Sequence, residues 1–553
     1  MTAMHGVTAG SAALLDTLAS FHGGLRLGLH DERAISRPVS SIPLPKRLVL
    51  PLHQHIGAEA KPLVAAGERV LKGQPIALAQ GYVSAAIHAP TSGAVADVGE
   101  HPVPHPSGLV APCIVIECDG EERWVDDTEL RVADLQTADP AILRQRVRDA
   151  GIVGLGGAAF PTAVKLNPGP QRPLELLILN GAECEPYISC DDVLMRERPQ
   201  RIISGARIMC RALGVARCVI GVEDNKPEAI VALRTALAQA VDHGISVREV
   251  PTIYPAGGEK QLIKVLTGRE VPSNGLPADI GLVCHNVGTA AAVHDALMEG
   301  RPLLSRIVSV TGGGVEQPGN LEVLMGTPVA DLVRACGGYN DGAARLILGG
   351  PMMGFAVSHD DLPVIKGSNC VLVLSADEVA QRAAAQPCIR CGDCARVCPA
   401  QLLPQQLYWH ARAKDFDRVQ DFSLFDCIEC GCCAVVCPSQ IDLVHYYRFA
   451  KTQIWAMERE RERADVARRR YEFRLERQER ERREREEKMS KKRAAMDGGA
   501  DQAAKKAVIE AALARARAKK AAQAEDTGAA PDSSHDASAK SPPEAGGKDA
   551  ARD

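Results

Sequence analysis

One cysteine spacing, used twice, constrains this chain more than any other feature. Residues 388–399 read CIRCGDCARVCP and residues 427–438 read CIECGCCAVVCP, both of the form C-x2-C-x2-C-x3-C-P. Four thiolates must converge on one small object, and two-residue gaps let the chain wrap it while backbone N–H groups turn towards the sulfurs. The spacing predicts two [4Fe–4S] clusters, the fourth cysteine of each run serving the other cluster. Cluster one takes Cys388, Cys391, Cys394 and Cys437; cluster two takes Cys427, Cys430, Cys433 and Cys398. Gly392 and Gly431 permit the tight loop, and Pro399 and Pro438 close it. C-x2-C pairs also suit zinc, but a four-cysteine run ending in Cys-Pro and used twice favours cubanes. Cys432 is a surplus thiol expected only to pack.

The chain has 18 cysteines in all, which point to metal and redox chemistry in a reducing compartment rather than to structural disulfides. Its 553 residues exceed what one core can organise, and several domains are expected. A net charge of −4 and an aromatic content of 3% argue against nucleic acid as a partner. No uncharged apolar run reaches the length of a membrane span. The opening MTAMHGVTAGSAALLDTLASF lacks a basic flank and carries Asp16, so no signal peptide is expected and the chain is expected to stay in the cytoplasm.

A pair of clusters is a wire, and a wire needs something at each end. Residues 151–165, GIVGLGGAAFPTAVK, place Gly154, Gly156 and Gly157 where backbone amides can approach a phosphate or a flavin ring, with Lys165 beside them. A bare glycine motif is equally a tight turn packed on a helix. It is not G-x-G-x-x-G. Next, LELLILNGAECEPYISCDD reads as a buried strand, Leu174 to Leu179, ending at Asn180-Gly181 with Glu183 and Glu185 after it. Ligands of open α/β sheets sit at the carboxyl ends of strands. A third piece starts at Tyr254 (YPAGGEKQLIKVL), and CHNVGTAAAVHDAL puts Asn286 and Thr289 at a strand-to-helix turn.

In this order the three segments resemble the flavin- and NADH-binding subunit of respiratory complex I, with its GRGGAGFPT…K, NADESEP, Y-x-x-GEE and NNVET motifs. The resemblance puts Gly154, Gly156, Gly157, Lys165, Asn180, Glu183, Glu185, Tyr254, Gly257, Glu259 and Asn286 on flavin and NADH positions. Leu155 replaces Arg, Ala182 replaces Asp and Gly258 replaces Glu; losing two acids weakens the NADH reading more than the FMN reading. Glu185 is the candidate for orienting a nicotinamide, the alternative being a surface loop acid. A nicotinamide moves two electrons and a cubane one, and a flavin is the cofactor that does both. No protein acid–base catalyst is expected.

Over residues 20 to about 455 the chain is more similar still to the C subunits of Rnf (Rsx) ion-translocating electron-transport complexes. FHGGLRLGLH, LPKRLVLPLHQHIGA, GLGGAAFPTAVK, NGAECEPYISCDD, the paired cysteine runs and a charged tail carry that likeness. It implies a peripheral subunit on the cytoplasmic face of the bacterial inner membrane. Such a subunit exchanges electrons between NAD(H) and ferredoxin through FMN and two [4Fe–4S] clusters, coupled to ion transport, beside the other membrane subunits. Two rivals stand: a flavin and iron–sulfur cobalamin reductase of a bacterial microcompartment, and an electron relay whose nucleotide site is vestigial.

The expected fold is multidomain α/β and α+β. Residues 1–40 form an N-terminal segment. Residues 41–125 resemble the barrel-sandwich hybrid fold of biotinyl and lipoyl carriers (PLVAAGERVLKGQPI, then IHAPTSGAV), but QGYVSAA replaces the turn that bears the modifiable lysine, so docking or packing is expected of it. Its His53, His55, His88, His101 and His105 are expected to be solvated or capping rather than metal ligands. Residues 126–300 are a Rossmann-like α/β domain for FMN and NADH. Residues 301–372 resemble a β-grasp (SLBB) domain, with Gly312–Gly314 as a hairpin turn and RLILGGPMMGF as a strand and turn of unassigned purpose. Residues 373–455 are the two-cluster ferredoxin-like helical module, with a capping box at Ser439 and Asp442 starting its last helix.

Residues 456–496 are a charged helix, supported by acid-to-base pairs four apart such as Asp465–Arg469, Glu476–Arg480, Glu479–Arg483 and Glu484–Lys488. Residues 497–553 are expected to be largely disordered. Acids balance arginines through most of 458–487, so no concentrated basic helix is expected, and anionic lipid should hold the chain weakly.

Overall fold

The computed structural model describes residues 18–28, 34, 36–126, 129–169, 172–240, 243–379, 384–497 and 502–524. The chain forms two compact units, Met1–Ala456 and Met457–Asp553.

In the first unit the V-x-x-G repeats build two small antiparallel sheets. One runs in the order Arg47–Pro51, Val110–Cys118, Gly93–Pro102, Arg69–Val70; the other in the order Lys61–Pro62, Pro75–Leu78, Ile87–His88. Val70, Ile76, Ile87, Ile114 and Ile116 fill the space between them. Two of the histidines depart from the expectation. His55 and His88 are buried, and burial holds their pKa values down at about 4 and about 3. They are neutral core groups, and the His55 Nε2 accepts from the buried Ala85 N–H at 3.0 Å. His53 stays exposed on the carbonyl of Gly57, and His101 pairs with Asp97.

The middle of the unit is a four-stranded parallel sheet in the order Ile245–Val250, Cys218–Glu223, Leu176–Gly181, Leu282–Asn286. Strands covered on both faces read as unbroken apolar runs, and LLIL and CVIGV do so. The first of these strands in the chain begins two residues later than expected, so Asn180 and Gly181 belong to its end. The chain steps outward through two strands under helices on one face. It then returns through Glu259–Thr267 on the other face to reach the far side of the first strand. That reversal opens a crevice at the carboxyl ends, where Asn286 and Asn180 are register partners.

A six-stranded mixed sheet follows, in the order Ser40–Ser41, Gly319–Leu324, Ser305–Thr311, Cys370–Ser375, Ala343–Leu348, Phe355–Val357. Gly312–Gly314 lies in the hairpin between two antiparallel strands, as its flanking valines suggest. The N-terminal segment supplies an edge strand here, and Cys370–Ser375 runs across the 372/373 boundary.

In the cysteine module the helices Pro404–Arg412 and Phe416–Asp421 link the two runs. Ser439 does not cap the next helix: its hydroxyl donates to the Pro387 carbonyl at 3.0 Å, and the helix begins at Leu443. A backbone acceptor across the module outcompetes the helix end.

The helix Leu443–Asp497 has 55 residues. Beyond Met457, Glu479 pairs with Arg483 at 2.8 Å, while Asp465 takes Arg468, three residues on. The expectation of disorder fails over Gln502–Ala524, a second helix of 23 residues. An Ala-, Lys-, Ser-, Pro- and Gly-rich composition suggested disorder, but alanine and the long basic residues are the strongest helix formers. Residues 525–553 lie outside the described residues.

Three regions of the first unit meet at one buried cation. The Lys366 N–H donates to Gln54, and its ammonium donates to the carbonyls of Ala86 and Gly151 at 2.6 and 2.7 Å. Burial pulls its pKa down to about 7. The unfolded chain then binds the extra proton between that value and the ordinary lysine range, so stability rises with pH across this window. We expect the melting temperature of the wild-type chain, measured against Lys366→Met, to gain a few degrees between pH 7 and pH 9. A flat difference would show that Lys366 keeps its charge when buried.

Candidate functional site

The crevice gathers most of the residues singled out from the sequence. Asn286 ends its strand and caps the helix Val287–Glu299, accepting from the N–H groups of Gly288 and Thr289. Its amide donates to Asp191 at 2.6 Å. Asn180 accepts from the Ala182 N–H and donates to the Gly257 carbonyl at 2.7 Å, tying two loops together. The glycine loop lies against this pair. Gly154 donates to the Phe160 carbonyl, Leu155 donates to the Thr289 hydroxyl, and a Cβ on Gly156 would lie 3.3 Å from that of Asn286. Lys165, on the short helix after the loop, pairs with Glu259 and donates to the Cys284 carbonyl at 2.9 Å. Lysine and acid, 94 residues apart, thus form one half-exposed ion pair.

The two acids of the ECEP loop are engaged rather than free. Glu183 is buried and accepts from the N–H groups of Asp191 and Asp192 at 2.9 and 3.2 Å, at the start of the helix Cys190–Glu197. Burial and the Asp191 carboxylate push its pKa up, and Lys226, 4.0 Å away, opposes them. Those amides are taken up by the Glu183 carboxylate itself, which also accepts from the Cys190 thiol at 3.3 Å. Glu185 accepts from the N–H groups of Met352 and Met353 at 2.7 and 3.0 Å. The turn after RLILGG therefore has a purpose that its sequence did not reveal. A Cβ on Gly350 would stand 2.1 Å from the Glu185 side chain, so only glycine lets the turn come this close.

Sequence reasoning missed three polar groups behind the loop. Glu223 ends its strand fully buried, with neither carboxylate oxygen hydrogen-bonded among the described residues. The Gln261 side-chain oxygen is likewise buried and unpartnered, and lies 2.5 Å from where a Cβ on Gly258 would be. It thus sits beside the backbone position that carries an acid in the complex I motif. Lys226 is buried between Glu183 and Glu223. The available signal was an acid closing the apolar run Cys218–Val222 at a strand's carboxyl end. Unpartnered buried acceptors are costly, and a ligand rich in hydroxyl and N–H donors, as a flavin with its ribityl chain is, suits them.

The cysteine runs meet around a small cavity whose lining includes Cys398 of the first run with Cys427, Cys430 and Cys433 of the second. The thiols of Cys427, Cys430 and Cys398 surround Cys433 and, behind burial, raise its pKa. Gly392 and Gly431 adopt φ of +85° and +80°, which the turn into each short helix requires. In the other set Cys394 is faced by Cys391 and Cys388, and Cys437 packs with Cys388 and Cys394 on the same apolar core. Cys391 is exposed. The surplus Cys432 is buried beside Tyr254 and Cys430. The Tyr254 hydroxyl donates to the Cys430 carbonyl at 2.7 Å, and His22 and Gly24 reach the carbonyls of Cys398 and Val397. Crevice and thiols share one dry seam.

Four known families match successive stretches of the chain. Residues 19–121 match the RnfC barrel sandwich hybrid domain, 147–295 the Nuo51 FMN-binding domain, 307–356 the SLBB domain and 387–441 the 4Fe-4S dicluster domain. The C subunit of an ion-translocating oxidoreductase complex from Serratia proteamaculans is 44% identical over 94% of this chain and 72% of its own length. The chain belongs to that C-subunit family. The Pseudomonas aeruginosa member is 52% identical over 83% of this chain, and that of Erwinia tasmaniensis 45% identical over 89%. This chain spans 59% and 61% of the lengths of those two relatives. An NAD+-reducing [NiFe]-hydrogenase in the air-oxidized state aligns at a TM-score of 0.40 and 23% identity, over 53% of this chain and 59% of that one. The matched FMN-binding and dicluster domains make FMN and [4Fe–4S] clusters the cofactors of this family member, and the thiol sets suit four-iron clusters. Cys398→Ala should damage one cluster while leaving the other's reduced spectrum recognisable after anaerobic purification. Zinc in place of iron, or loss of both spectra together, would overturn the crossed thiol assignment.

Proposed function

We propose that this chain is the peripheral, flavin-bearing subunit of a membrane-bound Rnf-type complex that moves electrons between NAD(H) and ferredoxin, coupled to ion translocation. The observation that carries this reading is the seam: Tyr254, at the crevice, bonds the backbone of Cys430 in the thiol-lined cavity. Among the described residues no helix is long and apolar enough to cross a membrane, so placement at the cytoplasmic face of the inner membrane rests on the other membrane partners. The four-stranded parallel sheet is read as Rossmann-like, and the domains are taken to divide as their sequence patterns do.

In this reading bound FMN would supply the chemistry that joins a two-electron hydride to one-electron four-iron clusters. The chain's own residues hold, orient and shield. Gly154, Gly156 and Gly157 keep the loop low over the crevice, Asn180 and Asn286 shape its floor, and Gly257 lets the Tyr254 loop close against Ala182. Lys165 supplies the cation facing the cofactor, with Glu259 holding it in place. Glu183 fixes the loop between crevice and helix, and Glu185 braces it against the Met352 turn. Glu223 and Gln261, buried acceptors with no hydrogen bond among the described residues, would accept from hydroxyl or N–H donors of the cofactor. Cys388, Cys391, Cys394 and Cys437 form the thiol set with an exposed member, and Cys427, Cys430, Cys433 and Cys398 the set beside the crevice.

NADH should bleach both flavin and cluster absorption in the anaerobically purified chain, and denaturation should release yellow flavin. A preparation rich in iron but free of flavin would favour a simple relay instead. Lys165→Ala should lower flavin content several-fold, and NADH-driven dye reduction should fall in proportion; unchanged occupancy would move the site elsewhere.

Glu223 gives a sharper test. Burial pushes its carboxyl up to about 7. The folded state then holds the proton more tightly than the unfolded one, and stability is lost as pH rises from the ordinary glutamate range through 7. Glu223→Gln should therefore melt higher than wild type at pH 8 and alike at pH 5 when both are flavin-free, yet retain less flavin on dialysis. Equal flavin retention would make Glu223 a structural acid only.

A further inference from the structure

The charge of the C-terminal unit is unevenly placed. Over residues 458–487 twelve arginines face eleven acids, whereas residues 488–524 carry ten lysines and arginines against three acids. Six of those ten lie on the helix Gln502–Ala524, whose only acid is Glu510. Exposed on this helix are Val508, Ile509 and Leu513, at 68%, 59% and 51%. Ile509, Ala512, Leu513 and Ala516 follow helical spacing and make one narrow apolar stripe. Lys505 and Lys520 flank its two ends, where long stems can lie along an apolar layer with the charge in water.

From this arrangement we propose that the helix Gln502–Ala524 binds the surface of an anionic bilayer, lying in the headgroup layer. Composition alone suggests the opposite, because the balanced stretch dominates the tail and the basic stretch reads as disordered. The helix changes the argument: it gathers short apolar side chains on one side and so adds burial to the attraction between basic residues and anionic lipid. Nucleic acid would use the charge but has no use for the stripe, and the helix has no aromatic residue to stack on bases.

The test is flotation of the full-length, cofactor-loaded protein with vesicles of phosphatidylcholine alone or mixed with phosphatidylglycerol. Two variants accompany it. One replaces Lys505, Lys506, Arg515, Arg517, Lys519 and Lys520 by Gln, and the other combines Ile509→Ser with Leu513→Ser. Flavin and iron content, which neither variant should change, confirm that each is folded. The expected result is flotation with phosphatidylglycerol vesicles only, weakened at least tenfold by the glutamine variant and by high salt, and several-fold by the serine pair. No flotation, equal flotation with both lipids, indifference to the glutamine variant, or tighter binding to RNA than to vesicles would each overturn the proposal.

Discussion

The first unit depends on one contact, the closure of the Tyr254 loop against the second cysteine run. Tyr254 and Cys432 are almost wholly buried there, with Cys430 close to it. Around them the Gly257 N–H donates to the Cys184 sulfur, Gly431 packs on Met352, and the strap at Gly24 crosses to Val397. Each partner comes from a different part of the chain. A thiol-lined loop must stay dry and rigid to hold a cluster, and a flavin crevice must open to a nucleotide. Sharing the seam places one beside the other while leaving each its own surroundings.

Several charged groups are buried near this contact. Glu183, Asp192, Glu223 and Lys226 are all sequestered behind the loop, and charge buried in such density costs stability unless it is matched. Glu183 is matched by two helix N–H groups, Glu185 by the Met352 turn and Asp191 by Asn286. Glu223 and Gln261 are not matched among the described residues. Polar groups that lack a partner in a well-packed core are where a ligand's contribution is most visible.

Much of this was legible from spacing alone. The cysteine runs could be read because a cubane demands four thiolates within a short stretch of backbone, so its geometry is written locally. The parallel strands could be read from unbroken apolar runs, and the order of glycine, acid and asparagine motifs pointed to one crevice. Harder to read were groups whose role depends on a distant partner. The turn at Gly350 looked purposeless until Glu185 was found on its amides, His55 and His88 looked solvated, and Ser439 looked like a cap. In each case the deciding neighbour lies on another element.

By itself, then, the sequence determined the presence of a dicluster module, the type of sheet, the hairpin at Gly312–Gly314 and the family. These follow from periodicity, turn chemistry and ligand spacing, which act over a few residues. Tertiary structure alone decided that Lys165 meets Glu259, that Lys366 ties three regions together and that neither carboxylate oxygen of Glu223 is hydrogen-bonded among the described residues. It also decided that Ser40–Ser41 becomes an edge strand beside Gly319–Leu324, far along the chain. Burial and pairing belong to the packed chain: whether a carboxylate is solvated, capped or stranded is settled only when elements distant in sequence close around it.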